Sequence, residues 1–240
     1  MSFQNFCVGD SNRFAYSAAL FVVENPVFFN PLVLCGPSGT GKTHLLKAIY
    51  QSAIIKNPET RIAYLTAENF TNELLDAIRN GKSDEFRNKY RSIDILLIDN
   101  IELVAGKSAT QEELFHVFNC LYEAKKQIVV ALNGDLHHVL PELEPKIATR
   151  LRWGVLTKID LPDYDTRLAI IRENAKEYAL SLSDEEIAYI ADLVSGDAGQ
   201  MIGIVKAIKA QIDLCARSGI RLEDTVKETV DLYASHQSDI

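Results

Sequence analysis

The sequence predicts an α/β protein. A three-layer domain with a parallel sheet spans residues 1–160, and a small all-helical domain spans residues 161–240. Three observations carry this. Short, continuous apolar runs alternate with amphipathic segments through the first 160 residues, the pattern of strands buried on both faces. Beyond Leu161-Pro162 only helical spacing continues. The charge changes at the same place: residues 160–240 hold 16 acidic and 8 basic side chains, whereas residues 1–159 hold 17 of each.

Pro31 to Cys35 reads as the first buried strand, running into a glycine-rich turn. Leu45, Leu46, Ile49 and Ala53 then recur at helical spacing from Thr43 to Lys56, and Asn57-Pro58 ends that helix. Arg61 to Leu65 is the second strand, Ile93 to Ile98 the third, Gln127 to Leu132 the fourth and Gly154 to Ile159 the fifth. Between strands two and three lies a helical insertion, residues 67–91, broken into two helices at Asn80-Gly81. Its second half gathers Arg79, Lys82, Arg87, Lys89 and Arg91 against Asp84 and Glu85, either a solvated helix face or a nucleic-acid contact. In the second domain, helical spacing runs through Tyr164–Tyr178, Asp184–Val194, Ala198–Ala216 and Leu222–Ala234. Ser183-Asp184-Glu185-Glu186 has the form of a helix start, a capping hydroxyl followed by acids in the first turn.

With 47% apolar and 24% charged residues the 240-residue chain is not disordered. No run approaches the ~18 apolar residues of a membrane span. The opening Met1 to Phe6 has neither the basic nor the apolar part of a signal peptide, so a cytoplasmic location is expected. A net charge of −8 excludes DNA binding by the whole surface, which needs a dense basic face. Cys7, Cys35, Cys120 and Cys215 lie far apart, outside any zinc spacing, and are expected as buried thiols. His137-His138 is expected on the surface or in packing, not in a metal site.

The chemistry concentrates in Gly36-Pro37-Ser38-Gly39-Thr40-Gly41-Lys42-Thr43, a GxxxxGK[ST] loop between a buried strand and a helix that continues with His44. Glycines let a backbone wrap phosphates and turn its N–H groups inward. The helix start at Lys42 offers its positive end to the anion. Lys42 is placed to reach the β- and γ-phosphates of ATP or ADP, and Thr43 to hold Mg²⁺. Asp99, closing the apolar run Ile95-Leu96-Leu97-Ile98, is the expected metal partner. Asn100 follows it where many such enzymes carry a carboxylate. An amide orients water but cannot take its proton near neutral pH, so slow hydrolysis is expected. Glu102 is expected to point elsewhere.

Several segments together resemble the AAA+ domain of the DnaA replication-initiator family, and the resemblance covers nearly the whole chain. They are Phe6 to Ala15, the phosphate loop, Leu96 to Lys107, Gln111 to His116 and Arg150-Leu151-Arg152-Trp153-Gly154. Phe70 to Glu73 and Glu85 to Asn88 look like that family's two-helix insertion. The resemblance implies a P-loop AAA+ domain with a helical lid. It implies that Val8, Gly9 and Asn12 border the adenine, and that Asn133 is the polar sensor of the γ-phosphate, where the family usually has Asp. It further implies that Arg150 is an arginine finger reaching a neighbour's nucleotide, and that Thr71 and Lys107 touch single-stranded DNA.

The departures from the pattern matter too. Gly199 stands where the family's lid carries a nucleotide-sensing arginine, Ala109 stands where a basic residue is frequent, and Lys146 replaces an arginine. The initiator's terminal domains have no counterpart in these residues. Asn100 gives a partial likeness to the short DnaA-related regulator Hda, whose clamp-binding segment is lacking. The resulting expectation is an ATP-binding module for initiation or regulation of chromosomal replication. It would assemble with itself or with a full-length initiator through Arg150. The alternatives are a non-hydrolysing, nucleotide-stabilised adaptor and a helicase-loader-type ATPase.

Overall fold

In the computed structural model, the described residues are 1–194 and 196–215, with Lys227 and Val230. They form two compact units, Met1–Phe6 with Asn12–Asp160, and Cys7–Ser11 with Leu161–Ile240. The first unit runs α1 (Arg13–Glu24), β1 (Leu32–Gly36), α2 (Lys42–Lys56), β2 (Ile62–Thr66), α3 (Ala67–Arg79), α4 (Ser83–Arg91) and β3 (Ile95–Asp99). It continues through α5 (Ser108–Glu123), β4 (Gln127–Asn133), α6 (Leu136–Val139), α7 (Pro145–Arg152) and β5 (Val155–Lys158). The five strands are parallel, in the order β2-β3-β4-β1-β5. The α/β class with a parallel sheet and a helical C-terminal part is therefore as the sequence predicts.

Side chains alternate across each strand, so the continuous apolar runs feed two cores. Leu32, Leu34, Leu97 and Val129 pack with α1 and α2 on one face. Val33, Leu96, Ile128 and Val130 pack with α3, α4, α5 and α7 on the other. At ~1.5–3 kcal/mol per fully buried aliphatic side chain, these two layers dominate what holds the unit together. Helices α1 and α5 were not delimited from the sequence. α1 buries Ala15, Ala18, Ala19, Val22 and Val23 along one side.

In the second unit, α8 (Tyr164–Glu177), α9 (Asp184–Leu193) and α10 (Ala198–Cys215) enclose a separate core of Ile171, Ile187, Ile190, Ile204 and Ile208. The start read at Ser183 is a full capping box: Ser183 accepts from the Glu186 amide, and Glu186 accepts from the Ser183 amide at 2.7 Å. Of the helix read over Leu222–Ala234 only Lys227 and Val230 are described, and Ser195, Ala216 and the Cys215 side chain lie outside the described residues. No helix among the described residues is long and apolar enough to cross a membrane. Cys35 is buried as expected, whereas Cys7 and Cys120 are only partly so. His137 and His138 are exposed.

Candidate nucleotide site

The sheet register assembles the site. Gly36, which ends β1, pairs with Asn133, which ends β4, while Ile98 beside Asp99 on β3 pairs with Val130 of β4. The carboxyl ends of three adjacent strands therefore present Gly36, Asp99 and Asn133 along one edge. In open parallel sheets this edge is where ligands bind.

The loop after β1 is held by backbone that other residues resist. Gly36 has φ +153°, and a Cβ there would lie 2.0 Å from the carbonyl of Ile159. Gly41 has φ +102°, and its Cβ would meet the Phe6 ring at 2.9 Å. Thr40 ties the turn by donating its hydroxyl to the Pro37 carbonyl at 2.9 Å. Pro37, Ser38 and Gly39 face solvent.

Lys42 opens α2 with only 3% of its surface exposed. Its ammonium donates to the carbonyls of Gly36 at 2.9 Å and Pro37 at 2.5 Å, two of its three donors. Burial lowers its pKa, and the nearby carboxylates of Glu102 and then Asp99 oppose that shift. The next residue, Thr43, donates its hydroxyl to Asp99 Oδ2 at 2.6 Å. Asp99 is 3% exposed, and its Oδ1 accepts from the Asn100 amide at 3.1 Å. Tyr64 on β2, not anticipated from the sequence, donates to the same carboxylate at 3.4 Å. Burial first and Asp99 second push the Tyr64 phenol up to about 12, so it stays a donor.

Asn100 sits in the left-handed region at φ +55° and ψ +51°. Asn is among the few non-glycine residues that enter it readily. The tight turn that follows swings Glu102 back toward β4. Glu102 accepts from the Asn133 backbone N–H at 3.0 Å and from Asn133 Nδ2 at 2.9 Å. The same Nδ2 donates to Asn100 Oδ1 at 3.2 Å. The expectation that Glu102 points elsewhere is thus corrected. Periodicity does not set side-chain direction in a turn, and the partner Asn133 lies 31 positions away in the sequence.

The loop of residues 36–41, Lys42, Thr43, Asp99, Asn100 and Asn133 come together at this edge. His44 Nε2 is 2.8 Å from the Ser2 carbonyl, and its ring stands edge-on to Phe6. Asn12 is buried at the start of α1 in the first unit. Val8 and Gly9 belong to the second, where Val8 is exposed and Gly9 lies against Thr166 so closely that a Cβ would overlap its hydroxyl. Arg150, in the last turn of α7, stacks its guanidinium 3.8 Å from the Trp153 ring centre and 5.1 Å from that of Phe115. Its Nε donates to Asn119 Oδ1 at 2.6 Å. Lys107 is exposed at the start of α5. Thr71 is buried, and its hydroxyl is spent on the Ala67 carbonyl at 2.8 Å, so it is not a surface donor for DNA. In the basic stretch, Arg79, Lys82, Arg87 and Lys89 pair with Asp76, Glu85, Glu113 and Glu73.

Residues 1–158 match the family model described as the bacterial DnaA ATPase domain. Among solved structures, the chain is similar to domain III of the Thermotoga maritima replication initiation protein DnaA. That likeness has 34% identity and a TM-score of 0.89, over 95% of this chain and 96% of that one. AMPPCP-bound DnaA from Aquifex aeolicus matches at 34% identity and a TM-score of 0.80, over 91% of this chain and 68% of that one. A DnaA bound to AMPPCP and single-stranded DNA matches at 34% identity and a TM-score of 0.80, over 90% and 68%.

Proposed function

The chain belongs to the bacterial DnaA ATPase-domain family, and on that premise we propose that it is an ATP-binding module acting in the initiation or regulation of chromosomal replication. ATP binds at the loop between β1 and α2, and Arg150 reaches the nucleotide of a second copy or of a full-length initiator. Lys107 is the remaining candidate for contact with single-stranded DNA.

One observation carries the reading: a buried lysine, a threonine hydroxyl and a strand-end aspartate meet at a helix start, with Thr43 2.6 Å from Asp99. The buried Lys42 ammonium spends two of its three donors on the loop carbonyls, which leaves one for a phosphate oxygen. Hydroxyl and carboxylate oxygens are the hard donors that Mg²⁺ takes, so Thr43 and Asp99 fit that ion. There the ion would supply positive charge to offset that of the phosphate oxygens. Among the described residues no three His, Cys, Asp or Glu side chains converge to hold a metal ion.

Calorimetric titration of the whole chain with ATP and Mg²⁺ tests the reading. Heat of binding is expected from the parent and its loss from Lys42→Ala. No heat from the folded parent overturns the proposal. A second reading, a nucleotide-stabilised adaptor without turnover, is favoured by Asn100 in the position of the usual second acid. Bound nucleotide with no phosphate release, with or without initiator and DNA, would establish it.

A further inference from the structure

Hydrolysis of ATP needs a group that aligns a water on the γ-phosphorus and accepts its proton. Asn100 cannot accept it, and the Asp99 carboxylate is taken up by Thr43, Tyr64 and the Asn100 amide. A further carboxylate, that of Glu102, stands at this edge of the sheet. Glu102 is half-buried and tied by both oxygens to Asn133, the residue whose Cα pairs in register with Gly36. The same Asn133 Nδ2 also donates to Asn100 Oδ1, which ties Asn100 and Glu102 to one amide. A carboxylate only accepts hydrogen bonds, so the Asn133 amide nitrogen must face it, and lone pairs on both oxygens remain for a water. Its charge, with that of Asp99, opposes the lowering of the Lys42 pKa by burial.

We propose that Glu102 is the catalytic carboxylate of this site, doing from three residues past Asp99 what Asn100 cannot do beside it. The inference rests on the ATP-binding reading above. A water held by Glu102 gives up one proton to a carboxylate oxygen as its own oxygen bonds to the γ-phosphorus. The bond from that phosphorus to the β–γ bridging oxygen breaks, and its electron pair stays on ADP. Glu102 then passes the proton to the released phosphate or to solvent.

The test measures, on the whole chain, single-turnover ATP hydrolysis and ATP·Mg²⁺ affinity for the parent, Glu102→Gln and Glu102→Gln/Asn100→Asp. Glu102→Gln keeps the shape and one of the two accepting oxygens, and the Asn133 side-chain amide can turn its oxygen to the new NH2, but the variant cannot take the proton. Its hydrolysis is expected to fall about 100-fold or more with affinity within about threefold of the parent. The double variant returns a carboxylate to the position after Asp99, where Asp also enters the left-handed region, and is expected to regain turnover. Hydrolysis by Glu102→Gln within about threefold of the parent overturns the proposal, as does loss of ATP affinity together with turnover. A parent that binds ATP·Mg²⁺ but releases no phosphate also overturns it and leaves the adaptor reading standing. A parent that binds no ATP sinks the nucleotide reading itself.

Discussion

Gly41 shows how one residue joins chain geometry to the phosphate loop. It precedes α2 at φ +102° and lies against Phe6, so a methyl group there meets both a backbone penalty and a steric one. Gly41→Ala is expected to cost roughly 1–2 kcal/mol, which in a chain of this size lowers the unfolding midpoint by about 2–8 °C in a thermal melt. Unchanged melting would mean that the turn relaxes freely. Arg150 is a different case, because its surroundings fix its plane without consuming its ends. Trp153 covers one face, and Asn119 holds Nε, the one guanidinium nitrogen with a hydrogen bond described. A planar guanidinium anchored in this way can meet an anion through both terminal nitrogens. Trp153 is the chain's single tryptophan. Arg150→Ala is therefore expected to change the emission of the free protein, and an unaltered spectrum would show that the stacking does not persist in solution.

At the scale of elements, a polar clamp fastens the strand ends opposite the nucleotide edge. Asp94, just before β3, accepts from the backbone and guanidinium of Arg61 beside β2 and from Lys126 beside β4 at 2.6 Å. The Arg61 hydrogen bond first, helped by Lys126 and opposed by burial, holds the Asp94 carboxyl well below the usual carboxylate range. Because the folded value lies below the unfolded one, the stabilisation is complete above about pH 4 and is lost as the pH falls through the folded value. Urea melts of Asp94→Asn are expected to show lower stability than the parent at pH 7, with the gap closing below pH 4. A gap independent of pH would place the effect in packing. These strands were legible in the sequence because burial on both faces leaves nothing but apolar residues in Ile95–Ile98 and Ile128–Leu132. The loop was legible because its glycines and Lys42-Thr43 stand at a fixed spacing after such a run. Tyr64 and Glu102 were not, since each reaches the site through a contact between strands distant in sequence. Nor was the grouping of Cys7–Ser11 with the helical unit, which rests on contacts such as Gly9 against Thr166.

At the scale of the whole molecule, charge limits how the protein meets its partners. Residues 160–240 carry all of the net −8, and the first 159 balance. The most basic stretch, on α3 and α4, has four of its cations engaged with acids of the same unit. Single-stranded DNA held by this chain would then be gripped through one or two phosphates, not a basic track. With about two phosphates neutralised, affinity is expected to fall less than about tenfold between 50 and 200 mM salt, against thousandfold or more for a protein with many such contacts. On the function proposed above, assembly would have a different dependence, because Arg150 would contribute only where a second molecule brings it a nucleotide. Sizing by light scattering should therefore show larger species with ATP·Mg²⁺ than with ADP or none. Lys42→Ala, which removes the nucleotide, and Arg150→Ala, which removes the finger, are both expected to abolish that shift, though only Lys42→Ala should lose binding in calorimetry. If Arg150→Ala still assembles with ATP, the contact between copies lies elsewhere on the first unit, and the Trp153–Asn119 cradle serves packing alone.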